Sequence, residues 1–301
     1  NLDFYYSLGL CMDTNKTIDL NNLKQDKSLT FLYKNIFGRI ILKVITLPFV
    51  SAIVGKYMSS SLSKGRIEKF ITQNNINMDE YEKADYKSFN EFFTRKIKAE
   101  KRPFPTDRSL FFSPCDGKLS AYKINDDTVV PVKGSHYTIS QLLSNEELAK
   151  QYKDGYCLVF RLAVDDYHRY AFIDDGIQEK SVKIKGILHT VQPIALNMYP
   201  VFVQNSREYA VMHTENFGDV VQVEVGALMV GKIKNHISSG KIERCKEKGM
   251  FLFGGSTIIL LCDKDAVEID ETFFTNTNNN KETIVKMGQV IGKKRWIVFH
   301  I

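Results

Sequence analysis

Residues 251–261 read FLFGGSTIILL, an apolar run interrupted by two glycines, a serine and a threonine. The apolar residues predict a buried strand. Glycine weakens a strand and usually marks a bulge or a close approach of two backbones. Two hypotheses follow for this stretch. One is a β-bulge within a single strand; the other is a strained peptide that places the hydroxyl of Ser256 against the carbonyl of Gly255.

Similar short apolar segments, separated by Gly, Asp and Asn, occupy most of the chain beyond Arg102. The predicted strands include residues 129–132, 156–162, 220–230 and 251–262. Many short strands with turn residues between them are typical of an antiparallel sandwich or barrel. One helix is predicted within this region, at residues 139–152, and the polar tract TNTNNNK at residues 275–281 is predicted to be a surface loop.

Before Arg102 the pattern is helical, at residues 67–75 and 88–97 among others. Residues 101–105, KRPFP, break the pattern between the two regions. The sequence therefore predicts an α+β fold with two regions. Residues 1–101 form an N-terminal helical region, and residues 102–301 form a predominantly antiparallel β-rich catalytic body.

The chain of 301 residues has 41 basic and 35 acidic side chains, and this excess of +6 is unevenly distributed. No acidic residue occurs between Asp26 and Glu68, an interval with seven basic residues. Its longest uncharged run, residues 44–55, is shorter than the ~20 residues of a membrane span. Within residues 34–47, polar side chains recur at helical spacing beside a broad apolar arc. This favours a membrane-facing helix on an anionic bilayer; the alternative is a core-packing helix with solvated lysines.

Several classes of function are disfavoured by composition and spacing. The five cysteines form no C-x-x-C pair and no pair of His or Cys has metal-ligand spacing, so we expect free thiols and no metal site. No glycine motif of the phosphate-binding type is present. The basic excess lies on an apolar segment, which argues against nucleic acid as a partner.

Three segments carry candidate chemistry. His168 lies in DDYHRY, directly after the predicted strand YCLVFRL, where flanking acids and an arginine favour proton exchange in a cleft. Asp116 lies in the tight turn SPCDG, and Ser256 lies in GGST. An Asp, a His and a Ser can form an orienting acid, a base and a nucleophile, although many proteins contain all three by chance.

Seven segments, in the same order, resemble the phosphatidylserine decarboxylases, which are membrane-associated, self-processing, pyruvoyl-dependent enzymes. The segments are FNEFFTR at 89–95 followed by Arg102-Pro103, SPCDG at 113–117, KGSHY at 133–137, DYHR at 166–169, GALMVG at 226–231, GGST at 254–257 and GQVIG at 288–292. The resemblance extends over roughly residues 30–292, nearly the whole chain. As a set, GST with DYHR and SPxDG is highly specific, whereas the first fifty residues match only in character.

The resemblance implies a precursor that cleaves itself. The hydroxyl of Ser256 attacks the carbonyl of Gly255, and elimination separates a β chain of residues 1–255 from an α chain of residues 256–301. Residue 256 becomes an N-terminal pyruvoyl group. That group forms a Schiff base with phosphatidylserine, releases CO₂ and gives phosphatidylethanolamine, doing what pyridoxal does elsewhere.

The same resemblance implies roles for other residues. Asp116 corresponds to the family's acid, and His168 is the candidate proton donor to the carbanion left by CO₂. His189 is a candidate substrate-binding residue, although a structural role is the equal alternative.

The sequence departs from the family pattern at one position. The family usually has D-Y-H-R-x-H, whereas Ala171 stands where the second His is expected. In relatives that second His is assigned as the base for self-cleavage. Either the chain matures with His168 alone, or Ala171 is an engineered change that blocks maturation. We favour the second interpretation because Ser256 is present as serine in one unbroken chain.

The resemblance also implies partners and a location. The expected partners are phosphatidylserine, an anionic membrane surface, the chain's own α and β products and a second copy in a homodimer. The expected location is the periphery of the endoplasmic reticulum or the mitochondrial inner membrane. Two alternatives from other classes are a Ser-His-Asp hydrolase, which would need an exposed G-x-S-x-G nucleophile, and a non-enzymatic peripheral lipid-binding protein.

Overall fold

The computed structural model describes residues 14, 16–22, 27–125, 129–132, 135–196, 198–227, 232–254 and 256–296. These residues form an α+β fold, as predicted. The strands, in chain order, are β1 (Thr17–Asp19), β2 (Leu110–Phe112), β3 (Gly117–Lys123), β4 (Val129–Val132), β5 (Ser135–Thr138), β6 (Tyr156–Leu162), β7 (Arg169–Ala171), β8 (Gly176–Gln178), β9 (Val182–Ile184), β10 (Arg207–Thr214), β11 (Gly218–Val225), β12 (Ile233–Asn235), β13 (Gly240–Ile242), β14 (Glu247–Phe251), β15 (Ser256–Cys262), β16 (Val267–Ile269), β17 (Lys281–Val285) and β18 (Val290–Lys294).

One large antiparallel sheet organises the molecule. Its strand order is β1-β17-β3-β6-β15-β11-β10-β8-β13, and β9 pairs with β10. Smaller sheets have the orders β12-β14-β7, β16-β18-β2 and β4-β5. Because β1 lies at one edge of the large sheet, the N-terminal region contributes a strand to the β-rich body, while the division at Arg102 stays a prediction.

The strand β15 lies at the centre of this sheet. It pairs with β6 over Ser256–Cys262 and with β11 over Thr257–Leu261. Every residue of β15 is buried. Ile258 and Leu260 face one hydrophobic core, whereas Ile259 and Leu261 face a second core on the other side. A strand with both faces covered needs a nearly continuous apolar sequence, which residues 258–262 supply.

The hypothesis of a bulge within one strand over residues 251–262 is wrong. The chain leaves a small sheet at the end of β14, Phe251, and enters the large sheet at Ser256. Between them, Gly254 has a φ of +125°, in the region that side chains other than glycine rarely adopt. Gly254 therefore lies where the backbone passes from one sheet to another, in a conformation that glycine adopts at low cost. Gly255, and with it the hypothesis of a strained peptide, lies outside the described residues.

The helices are shorter than the sequence pattern predicts. They are α1 (Lys27–Lys34), α2 (Ile36–Ile45), α3 (Pro48–Met58), α4 (Ile67–Gln73), α5 (Phe89–Phe93), α6 (Ile139–Leu143), α7 (Glu146–Lys150), α8 (Pro193–Leu196), α9 (Val201–Gln204) and α10 (Glu271–Asn278). The helix predicted at 88–97 ends at Phe93, and Ile97 instead forms a β-bridge with Tyr81. The helix predicted at 139–152 is two helices, because Ser144 has a φ of +50° and Asn145 caps the second.

The prediction of a surface loop at residues 275–281 is also wrong. Helix α10 covers residues up to Asn278, and β17 begins at Lys281. Phe273 and Phe274 of this helix are buried in a hydrophobic core, so tertiary packing overrides the low helix propensity of Asn and Thr. The hydroxyl of Thr277 also accepts a 2.9 Å hydrogen bond from the backbone N–H of Ala121.

The acid-free interval forms helices α1 to α3 rather than one helix. Asn35 caps α2 by accepting hydrogen bonds from the N–H groups of Phe37 and Gly38, and Pro48 begins α3. Many large apolar side chains of these helices are exposed, namely Phe31, Ile36, Phe37, Ile40, Ile41, Val44, Leu47, Phe49 and Ile53. Among the described residues, no single helix is long and apolar enough to cross a bilayer, although two helices that meet at a bend of 70°, Ile36–Ile45 and Phe49–Met58, reach that length and composition together.

The central position of β15 predicts unequal costs for two matched substitutions. Ile259→Ala removes a fully buried side chain, and we expect it to lower the free energy of unfolding by about 3 kcal/mol. Ile177→Ala, at a position 60% exposed on β8, should lower it by less than about 1 kcal/mol. Urea unfolding of both variants measures the difference. Equal losses would contradict the central packing of β15.

Candidate active site

Ser256 is the first residue of β15 and lies opposite Leu162 of β6. Its side chain is completely buried, and its Oγ has no hydrogen-bond partner in the described part of the chain. The next residue, Thr257, has the same two properties. Buried hydroxyl groups are ordinarily hydrogen-bonded, because leaving one unpaired costs free energy. The start of β15 is therefore a place where the fold tolerates an unsatisfied nucleophile.

His168 lies just before β7 and is 1% exposed. Its Nδ1 is 2.9 Å from the backbone carbonyl oxygen of Asp166, which can only accept, so Nδ1 carries the proton and Nε2 has a free lone pair. No described group bonds to Nε2. Burial lowers the pKa of His168 to about 4, with a further lowering by the positive charges of Arg95 and Lys118. His168 is therefore neutral at pH 7 and can accept a proton at Nε2.

An aromatic cluster joins His168 to the segment that precedes Ser256. The ring of Phe93 lies 4.3 Å from the His168 ring, centroid to centroid, and 5.3 Å from the ring of Phe253. The backbone N–H of Phe253 donates to Oδ1 of Asn90, 3.0 Å away. Helix α5 therefore positions both the histidine and the approach to Ser256. These roles of Phe93 and Asn90 are not predictable from the segment FNEFFTR alone, because they depend on contacts with residues distant in sequence.

Arg169 holds the same segments from the other side. Its guanidinium donates twice to the carbonyl oxygen of Thr94, at 2.9 and 2.6 Å, and twice to the carboxylate of Glu247, at 2.8 and 2.9 Å. Thr94 ends α5 and Glu247 begins β14. Arg169 thus links α5, β7 and β14 around His168, a role that the arginine in DYHR alone did not reveal.

The carboxylate of Asp116 is buried, and the groups that donate hydrogen bonds to it do not belong to the other predicted site residues. Arg102 donates to both carboxylate oxygens, at 2.8 and 2.6 Å, and the N–H of Met287 donates at 2.9 Å. Lys286 adds a contact of 3.3 Å. Burial alone would raise the pKa of Asp116, but these cationic and backbone donors lower it below its usual value. No hydrogen bond joins Asp116 to His168 or Ser256 among the described residues.

The backbone of Ala171 lies beside the turn that carries Asp116. Its N–H donates to the carbonyl oxygen of Pro114, 2.9 Å away. Ala171 also lines a cavity of about 360 Å³, together with Arg102, Tyr167 and Glu247 among others. Space is therefore available beside the methyl group of Ala171, on the side of the molecule where Arg102 holds Asp116.

The described contacts of His189 are with residues other than Asp116, His168 and Ser256. Its Nδ1 is 3.2 Å from the hydroxyl of Tyr33 in α1, and its ring stacks on Tyr199 at 4.5 Å. The side chain of Asn205 bonds both its N–H and its carbonyl oxygen, at 2.9 and 2.8 Å. Burial lowers the pKa of His189. These contacts fasten α1 to the body, and a substrate-binding role for His189 stays a prediction.

Ser256 Oγ and His168 Nε2 are among the buried polar atoms that have no partner in the described part of the chain. One is a nucleophile and the other has the free lone pair of a base, and the ring of Phe93 packs against the histidine. This combination is typical of an enzyme that uses a serine and a neutral histidine. No described group of three or more His, Cys, Asp or Glu could hold a metal ion.

Comparison with known proteins identifies the family. The family model described as phosphatidylserine decarboxylase matches residues 89–293, which include Asp116, His168 and Ser256. The phosphatidylserine decarboxylase proenzyme 2 of Clostridium acetobutylicum is 48% identical over 266 residues, 88% of this chain and 91% of that protein. The phosphatidylserine decarboxylase proenzyme of Clostridium botulinum strain 657 is 44% identical over 287 residues, 93% and 97% of the two chains. The chain belongs to the phosphatidylserine decarboxylase family.

The low pKa of His168 predicts how stability depends on pH. Because the folded-state pKa, about 4, lies below the ordinary 6.5, the unfolded chain binds more protons between these values. The free energy of unfolding should therefore fall as the pH drops from 6.5 to 4, by about 3 kcal/mol from this residue. In His168→Gln this part of the pH dependence should disappear, as measured by urea unfolding at each pH.

His213 provides the matched control for this measurement. It is exposed, and hydrogen bonds to the carboxylates of Asp219 and Glu179 raise its pKa despite a small opposing effect of burial. A raised pKa stabilises the folded chain at low pH, and this contribution is lost as the pH rises. His213→Gln should therefore steepen the loss of stability on acidification. The same slope in both variants would refute the buried, neutral state of His168.

Proposed function

We propose that this chain is the precursor of a phosphatidylserine decarboxylase that cleaves itself between Gly255 and Ser256. The mature enzyme then converts phosphatidylserine into phosphatidylethanolamine and CO₂. The observation that carries the proposal is the buried, unpartnered hydroxyl of Ser256 at the start of β15. In a member of this family, that hydroxyl lies directly after the sequence Gly254-Gly255, between strands of two different sheets.

Maturation begins with the hydroxyl of Ser256. As a bond forms from Oγ to the carbonyl carbon of Gly255, the C–N bond of the peptide breaks and its nitrogen becomes an amine. An ester then joins the two residues. Removal of the α-proton of residue 256 expels Gly255 as a carboxylate, and water releases ammonia from the resulting enamine to leave a pyruvoyl group. His168 Nε2 is the proposed acceptor of the serine proton, because it is the neutral nitrogen with a free lone pair.

The residues at the start of β15 fit a pyruvoyl group. Position 256 is completely buried, its side-chain oxygen is not committed to another bond, and Gly254 allows the backbone to turn away. The group would supply an electron-withdrawing carbonyl for the loss of CO₂ from the serine head group. The rings of Phe93 and Phe253 would exclude water from the site. His168, which is neutral in the resting chain, would take up at Nε2 the proton that the serine ammonium group of the lipid loses on binding, and would return it to the carbon that has lost CO₂.

We propose that the α and β products stay together after cleavage. Strand β15 belongs to the α chain, yet both of its neighbours, β6 and β11, belong to the β chain. A buried ion pair between Arg161 and Glu282 and the bonds from Lys286 and Met287 to Asp116 also cross between the products. Asp116 thus has a role in joining the chains, and its action as the orienting acid stays a prediction.

The alanine at position 171 predicts slow or absent self-cleavage. In Ala171→His, an imidazole would enter the cavity beside Arg102, and we expect the chain to split into fragments of 255 and 46 residues. Intact-mass measurement detects both fragments, and carbonyl reagents should label the smaller one. Ser256→Ala, the control, should stay whole in either background.

The same experiment separates the two interpretations of Ala171. Cleavage of the unaltered chain would show that His168 suffices, whereas cleavage only in Ala171→His would assign the block to the alanine. A chain that stays whole in both forms and reacts with serine-directed acylating probes would instead support a Ser-His-Asp hydrolase. The sequence around Ser256, FGGSTI, disfavours that alternative, because it lacks the G-x-S-x-G nucleophile elbow of such a hydrolase.

We propose peripheral membrane association through helices α2 and α3. Their exposed apolar side chains lie beside Arg39, Lys43 and Lys56, in an interval without acidic residues. This combination suits the interface of an anionic bilayer, where apolar side chains enter the acyl boundary and cations meet the head groups. The endoplasmic reticulum and the mitochondrial inner membrane stay predictions, as does the homodimer, and the relatives reported above are bacterial proteins.

The membrane proposal is tested by two isoleucines with the same exposure. Ile40 on α2 and Ile177 on β8 are each 60% exposed. Ile40→Glu should weaken sedimentation with vesicles that contain phosphatidylserine by about tenfold, because it places a negative charge on the apolar face. Ile177→Glu should leave binding within about twofold. Equal vesicle binding by the two variants would contradict docking through α2 and α3. If the chain binds vesicles but neither the unaltered form nor Ala171→His cleaves itself, a non-enzymatic lipid-binding protein would be favoured.

A further inference from the structure

A second cavity, of about 440 Å³, lies between α3 and the segment that leads to Ser256. Ser51, Gly55 and Lys56 of α3 line one side, and Leu252 and Phe253 line the other. The volume is within the range of small-molecule sites, about 300–1,000 Å³. Because Phe253 also packs on Phe93, which contacts His168, one wall of this cavity is continuous with the aromatic cluster of the candidate active site.

The charge of this cavity is entirely positive. Lys56 and Lys232 line it, and no acidic residue does. Both lysines are exposed, and neither forms an ion pair with a carboxylate in the described part of the chain. The carbonyl oxygen of Lys232 accepts a hydrogen bond from the N–H of Leu252, which fixes the backbone of this lysine beside the approach to Ser256. Two unpaired ammonium groups at one opening suit an anionic ligand.

A buried polar atom points to the same ligand. Ser51 is 1% exposed, and its Oγ has no hydrogen-bond partner among the described residues although it lines the cavity. A ligand oxygen in the cavity would satisfy this hydroxyl, which no described residue does. The same helix presents Phe49 and Ile53 to the exterior, with exposures of 73% and 55%. One face of α3 is therefore apolar and exposed, while another lines the cavity.

We propose that this cavity binds the phosphodiester group of a phospholipid, with Lys56 and Lys232 as its cationic contacts and the hydroxyl of Ser51 as a donor. The acyl chains then lie toward Phe49 and Ile53, and the head group extends along Phe253 toward residue 256. The proposal rests on the proposed function, because it gives the route by which a membrane lipid reaches that residue. Recognition of the phosphodiester is independent of the head group beyond it, so phosphatidylethanolamine binds as well.

The test measures binding without catalysis. The full chain carries Ser256→Ala, which keeps it uncut, and the probe is dihexanoyl phosphatidylserine as a monomer in solution, measured by equilibrium dialysis. Without vesicles, the charge of the membrane-facing helices has no bilayer to attract. We expect Lys56→Gln combined with Lys232→Gln to raise Kd about tenfold, from the loss of two charge-assisted contacts.

The matched control combines Lys34→Gln with Lys43→Gln, which removes the same charge from exposed positions of α1 and α2 that do not line the cavity. Its Kd should stay within about twofold, and dihexanoylglycerol, which lacks the phosphate, should bind all variants equally. Equal Kd values in the two double variants, or no binding to the Ser256→Ala chain, would overturn the proposal. Failure of the proposed function appears separately, as the absence of cleavage in Ala171→His or of phosphatidylethanolamine production by the cleaved chain.

Discussion

The pairing of β15 with a strand on each side is the constraint on which the rest of the structure depends. It places a completely buried strand between β6 and β11, and this strand separates the two hydrophobic cores. Because the strand begins at Ser256, this residue lies at the centre of the sheet, and Gly254 has a φ that only glycine adopts readily. Helix α5 and Arg169 hold His168 beside the segment that leads to this strand.

The sequence predicted structure best where a local pattern of residues is compatible with one kind of secondary structure. The apolar run after Ser256 predicted a buried strand, and the segments GGST and DYHR pointed to the serine and histidine that the fold leaves unpartnered. Local sequence patterns predicted the wrong secondary structure where contacts with distant residues determine it. Residues 275–278 are helical because Phe273 and Phe274 anchor their helix in a core. The strand predicted over 251–262 divides because its two halves pair with different partners.

The arrangement around Asp116 could not have been predicted from residue types. An acid in a tight turn suggested an orienting partner for a histidine, yet its carboxylate accepts hydrogen bonds from Arg102 and the backbone of Met287. These partners are 14 and 171 residues away in sequence, so only the fold brings them together. Likewise, Lys232 and Lys56 share a cavity although no sequence motif connects them.

The central place of β15 has a consequence for the lifetime of the mature protein. Before cleavage, a molecule that unfolds keeps residues 256–301 tethered to the remainder, so the strand can return by an intramolecular step. After cleavage the same strand would have to pair again with β6 and β11 as a separate peptide. That step depends on the protein concentration and competes with aggregation. Maturation thus replaces reversible folding by kinetic trapping, and the enzyme persists only as long as the barrier to unfolding holds.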